Sequence, residues 1–212
     1  MKDRYSQIKF FAANYTRLQG LRAIPVGLLA VFVSVWVLYN QGPTANLSQP
    51  IFVAIIAGLL YLLTDRYYNR VFGQVKPSPS KRKGEIIVSI VIGALALLAF
   101  ALDTAHVLPI SALGLVFAIC FLEYFWRVDK YEWKKIFIYF PENIIAAALV
   151  AIISILPIFG ISVWELAGIQ WQTAGVFMIF GIVIMVTGIV GHIRMIRTLS
   201  TADMKSNDIT VQ

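Results

Sequence analysis

Six long apolar segments, separated by short polar stretches, make up most of this chain: residues 24–39, 50–64, 85–102, 107–125, 141–160 and 171–193. A helix needs about 20 apolar residues, rising 1.5 Å each, to cross the hydrocarbon of a bilayer. The pattern therefore predicts an all-α membrane protein with six transmembrane helices. The first two segments are short. Leu21 and the interfacial rings of Tyr67 and Tyr68 lengthen them, with Arg22 and Arg66 snorkelling towards headgroups.

Charge then orients the helices. Lys2, Arg4, Lys9, Arg17 and Arg22 precede the first segment. Arg66, Arg70, Lys76, Lys81, Arg82 and Lys83 follow the second, and Arg127, Lys130, Lys134 and Lys135 follow the fourth. Arg194, Arg197 and Lys205 follow the sixth. These residues are the whole inventory of 18 Lys and Arg. The alternate connections, 40–49, 103–106 and 161–170, contain none. The positive-inside rule places the basic set in the cytoplasm. The expected topology is three antiparallel hairpins with both termini cytoplasmic, forming a single membrane domain over residues 1–212. Adding or removing one span would scramble the partition.

Two further stretches have helical periodicity without spanning length. Ile8, Phe11, Ala12, Tyr15 and Leu18 share one face, as do Trp133, Ile136, Phe137 and Phe140. Both suit amphipathic helices lying on the inner leaflet. Pro141 followed by Glu142 has the character of a helix start, so the second surface helix is expected to break there, with a kink in one long helix as the alternative. Residues 76–84, KPSPSKRKG, read as a flexible cytoplasmic linker.

Composition agrees with a membrane domain. The chain of 212 residues is 59% hydrophobic and 14% charged, against about 25% charged in a soluble domain, and its mean hydropathy is +0.77. The net charge of +7 lies in short pieces between apolar segments, where it acts on topology and anionic lipid headgroups. No nucleic-acid partner is expected. Cys120 is the one cysteine and reads as a small apolar residue. The first twenty residues are polar and basic, without the pattern of a cleavable signal peptide.

Small residues four apart, Ala30/Ser34, Ala54/Gly58 and Ser89/Gly93, are expected to let helices approach closely, as are Gly181, Gly188 and Gly191. Their expected use is packing within one bundle, with an interface in a homo-oligomer (a dimer) or with a partner as the alternative. Ionisable residues avoid the middle of every segment, which argues against an ion-coupled carrier complete in one chain. Asp65, Glu123, Arg127, Glu142, Asn143 and His192 reach a similar depth near the cytoplasmic ends. They form the candidate polar cluster, read either as charge neutralisation at helix ends or as a pocket for a headgroup or a docked protein. Lys81, Arg82 and Lys83 are candidate contacts for anionic headgroups. On the opposite side Asp103 and His106, three residues apart, are expected to cap and solvate a turn, with a metal or pH-sensing pair as the sharper alternative.

The chain has no G-x-x-x-x-G-K-[ST], no G-x-S-x-G and no H-E-x-x-H. Its two histidines fall on opposite sides of the membrane, and the outer side has no cation to hold a phosphate. No catalytic, cofactor or metal site is expected. The expected function is a non-enzymatic membrane subunit or accessory protein in the bacterial plasma membrane, such as the membrane component of a transporter that docks a cytoplasmic partner. The alternatives are a stand-alone carrier or channel for a small solute or lipid, and an intramembrane enzyme acting on lipid from the cytoplasmic face.

Overall fold

The computed structural model describes residues 19–40, 48–71, 79–127, 141–161 and 172–207. Six α-helices occupy them: α1 (Ala23–Tyr39), α2 (Ser48–Val71), α3 (Pro79–Thr104), α4 (Ala112–Arg127), α5 (Pro141–Ile155) and α6 (Gln172–Asn207). Short 3-10 turns, Gly20–Arg22 and Leu156–Phe159, lead into α1 and out of α5. No strand occurs among the described residues. Five of the helical stretches are long and apolar enough to cross a membrane: Gly20–Tyr39, Ser48–Val71, Ile86–Thr104, Pro141–Phe159 and Gln172–Arg197. The apolar part of α4, Ala112–Leu122, is shorter. The chain is thus an all-helical, membrane-embedded protein.

Each apolar segment became a helix, but several boundaries moved. The second helix runs on through Tyr67 and Tyr68 to Val71. The third begins at Pro79, so 79–84, expected within a flexible linker, is helical; Pro suits a first turn, where its missing N–H has no partner to lose. The fourth starts five residues late, because 107–111 form the connection from α3. The two expected surface helices fall outside the described residues, apart from the few that precede α1, and so does the backbone just before Pro141 that would distinguish a break from a kink.

The last helix is the central element. It packs most extensively on α1 and also meets α3, α4 and α5. Its contact with α1 is antiparallel and is made by backbone on backbone. Gly27 faces Gly181, and Gly20 faces Gly188 seven residues further along each helix. A Cβ at Gly188 would lie 2.5 Å from the Gly20 carbonyl oxygen, and one at Gly181 would lie 2.6 Å from that of Gly27. One more seven-residue step in the same register sets Ser34 level with Ala174, both fully buried. Lipid offers no hydrophobic drive for helix association, so close approach at small residues supplies dispersion contact instead.

A second core joins α4, α5 and α6. Leu113, Phe117, Ala118 and Phe121 pack with Ala146, Ala147, Val150 and Val176. Phe117 stacks on Phe180 at a centroid distance of 3.9 Å and meets Phe177 edge-on at 5.6 Å. Gly114 admits Ser154 against the α4 backbone, where a Cβ would strike the Ser154 hydroxyl.

The other small-residue pairs lie on exposed faces of α2 and α3. Ala54, Gly58, Ser89 and Gly93 are exposed, and a Cβ at Gly58 or Gly93 would meet nothing within 4 Å. Only 6% of the apolar window of α2 and 11% of that of α3 is buried, against 33% for α1 and α6. Small-residue spacing licenses close approach without naming the partner, and among the described residues the α1 and α6 glycines meet one another.

Candidate functional site

The start of α1, the end of α2, the start of α5 and the last turns of the apolar stretch of α6 (Gln172–Arg197) lie together, held there by polar side chains. The Tyr68 side chain has no exposed surface. Its hydroxyl oxygen accepts the Leu21 backbone N–H at 3.2 Å and lies 2.8 Å from His192 Nδ1. The phenol can donate its proton to an unprotonated Nδ1 or accept from a protonated one, according to the imidazole tautomer. Tyr68 and His192 rings also meet edge-on at 5.7 Å. One phenol therefore ties α2 to both α1 and α6, where an unpaired hydroxyl would be costly.

Beside it, Arg22 forms an ion pair with Asp65, and Asp65 also accepts the Asn69 side-chain amide at 3.0 Å. The Arg22 guanidinium carbon stands 6.0 Å from the centre of the Tyr61 ring. Arg22 Nε and Gln19 Oε1 are buried without a hydrogen-bond partner. Asp65 lies four residues before Asn69, and Tyr61 lies seven before Tyr68, so positions 61, 65, 68 and 69 share a face of α2 by helical spacing. This polar stripe is what fastens α2 to the bundle, since its remaining length is largely uncovered.

The second pair joins α5 to α6. Arg194 Nη1 and Nη2 donate to Glu142 Oε1 and Oε2 at 2.8 and 2.9 Å, a bidentate fork with both side chains largely buried. The planar guanidinium matches both carboxylate oxygens, which makes this geometry stronger than a point-charge contact. Glu142 follows the first residue of α5, where a carboxylate also complements the helix dipole.

Of the sequence-predicted cluster, the structure joins Asp65 to Arg22, His192 to Tyr68, and Glu142 of α5 to Arg194 of α6. Asn143 is half-buried at the start of α5. The side chains of Glu123 and Arg127 lie outside the described set, as do those of Lys81 and Arg82; Lys83 is exposed. Sequence reasoning missed Tyr68 as a central member. It was read as a membrane-interface ring, and only the three-dimensional meeting of residues 21, 68 and 192 gives it this role.

At the opposite end, Asp103 and His106 perform separate tasks. Asp103 is 4% exposed although its sequence context suggested a loop. Its carboxylate accepts Ser111 Oγ at 2.7 Å, Ala112 N–H at 2.7 Å and Leu113 N–H at 3.2 Å. Ser111 Oγ in turn accepts Gly114 N–H at 3.0 Å. The first three N–H groups of α4, otherwise orphaned, are thereby satisfied by two side chains. His106 is exposed with φ 50° and terminates α3. The bonds from His106 N–H to Asp103 O and from Val107 N–H to Leu102 O, 3.2 and 3.3 Å, are those of a Schellman motif. Gly160 ends the 3-10 turn after α5 in the same way, at φ 73°. No group of three or more His, Cys, Asp or Glu side chains among the described residues is placed to hold a metal ion.

No family model, curated protein or solved structure matches this chain.

Proposed function

We propose that the chain is a non-catalytic subunit of a membrane assembly, with six spans arranged as three hairpins and both termini in the cytoplasm of a bacterial plasma membrane. The observation that carries the reading is the exposure of α2. It is 24 residues long, it packs chiefly on α1 and the turn before it, and it presents Ala54 and Gly58 outward with open space over the glycine. Membrane helices associate through such surfaces, so α2 is suited to receive another protein helix. The same reading treats the ion pairs and the Tyr68–His192 contact as fastenings that hold the bundle rigid for a partner.

The topology draws support from the polar contacts. They gather the beginnings of α1 and α5, the end of α2 and the last turns of the apolar stretch of α6, and the basic residues of the chain cluster at those positions in the sequence. A six-span chain then requires α4 to cross as well, with its continuation beyond Leu122 completing the length.

Purification of the tagged full chain in mild detergent tests the proposal, with mass spectrometry of what accompanies it. A stoichiometric membrane or nucleotide-binding protein is the expected companion. A chain that purifies alone, and that supports solute flux when reconstituted by itself, would establish the carrier reading in its place.

A further inference from the structure

A cleft of about 580 Å³ opens between the first hairpin and the second, towards the end of the bundle remote from the Arg22–Asp65 pair. Its wall includes Trp36 of α1, Pro50 of α2, Gly93 and Phe100 of α3, Phe117 of α4 and Phe177 of α6. Five helices thus contribute to its wall. The aromatic floor is itself ordered, with Phe177 lying 6.3 Å from Phe100 and 5.6 Å from Phe117 between ring centres.

Water is a poor occupant. An ordered water needs two to four polar partners, and the wall is almost wholly carbon. The cleft is open on its outer side, where Gly93 and Leu97 are exposed, so whatever surrounds the helices can enter it. At about 30 Å³ for each water-sized group, the space holds a chain of roughly twenty such groups. The helices that form the wall are apolar enough to lie within a bilayer, where hydrocarbon chains are the abundant solvent. The absence of charge on the wall matches an uncharged chain and repels a headgroup.

We infer that this cleft is a binding site for one acyl chain of a membrane phospholipid, inserted sideways between the two hairpins. Gly93 provides the entrance on α3: a Cβ there meets nothing within 4 Å, so the space in front of it belongs to the ligand. Trp36 is 6% exposed and forms the inner wall, where surrounding lipid has little access to it except through the cleft. The inference requires that these helices lie in a membrane, and it is independent of whether α2 receives a protein partner.

The experiment uses the full chain with Trp36 as its only tryptophan, the other four replaced by Phe, in vesicles of phosphatidylcholine brominated along one acyl chain. Bromine quenches indole fluorescence only at close range. Trp36 is expected to be quenched, and Gly93→Leu, which fills the entrance, is expected to remove most of that quenching. Gly58→Leu adds the same bulk to the uncovered face of α2 and is expected to leave it unchanged. Absence of quenching in the parent chain would mean that protein closes the cleft, and overturns the inference. Equal quenching in the parent and both variants would trace the signal to bulk lipid, and overturns it too.

Discussion

Gly27 and Gly181 each occupy the space that a side chain on the other would need. A Cβ on either one would stand 2.6 Å from the carbonyl oxygen of its opposite number. The reciprocity means that α1 and α6 touch backbone to backbone, and that neither residue can grow without moving a helix.

Gly181→Val is therefore expected to destabilise the bundle by about 1–3 kcal/mol or more, since the obstruction is main chain and cannot rotate away. Thermal unfolding in detergent would register it as a lowered midpoint. Gly58→Val is the control: nothing lies within 4 Å of its Cβ, and the midpoint should stay near that of the parent. Equal losses in both variants would remove the α1–α6 contact from its central place.

Asp103→Ala should cost about 2 kcal/mol or more, because it strips partners from the first two N–H groups of α4 and from the buried Ser111 hydroxyl. Ser111→Ala should cost less, about 1 kcal/mol, as Asp103 keeps its two backbone donors. Chemical unfolding of the two variants ranks them, and the reverse order would contradict the capping geometry.

His106→Gly is expected to hold or raise stability, by up to about 1 kcal/mol, since the residue sits at φ 50° where glycine has no Cβ penalty. A metal-binding or pH-sensing role for His106 predicts the opposite. Unfolding curves of parent and variant, recorded with zinc and with a chelator, separate the two.

Glu142→Gln and Arg194→Met should each destabilise by about 1–3 kcal/mol, by removing the bidentate fork between two largely buried side chains. The double variant should recover part of the loss, and a double-mutant cycle measures the coupling. Purely additive losses would show that the fork contributes little.

Tyr68→Phe keeps the ring and removes the hydroxyl that links Leu21 and His192. The expected loss is about 1–2 kcal/mol. It should be accompanied by greater protease access to α2, the helix with the least burial elsewhere. Unchanged proteolysis would mean that α2 is held by its apolar contacts with α1 alone.

Some of this was legible in one dimension. The ends of α1 fall where the apolar run from Ile24 to Tyr39 begins and ends, because in lipid a helix is the only local structure that pairs its own backbone groups. The positions of Glu142 and Arg194 near helix ends were readable too, but their pairing was not, since 52 residues separate them. The start of α4 was misplaced because residues 107–111 are as apolar as the helix, and the stop signal, His106 in a left-handed conformation, is a residue that also serves inside helices.

What the sequence determined by itself was the solvent of each segment. Twenty or so apolar residues cannot remain in water and need no partner to become helical, so membrane embedding and helical content follow from local composition. What the tertiary structure decided was which surfaces meet. Ala54/Gly58 and Gly181/Gly188 read alike in the sequence, as small residues on one helix face, yet Gly58 faces open space while Gly181 and Gly188 are closed by backbone. Lipid and protein are equally apolar, so hydrophobicity cannot choose between them. The choice rests on shape, and shape exists only once the helices are assembled.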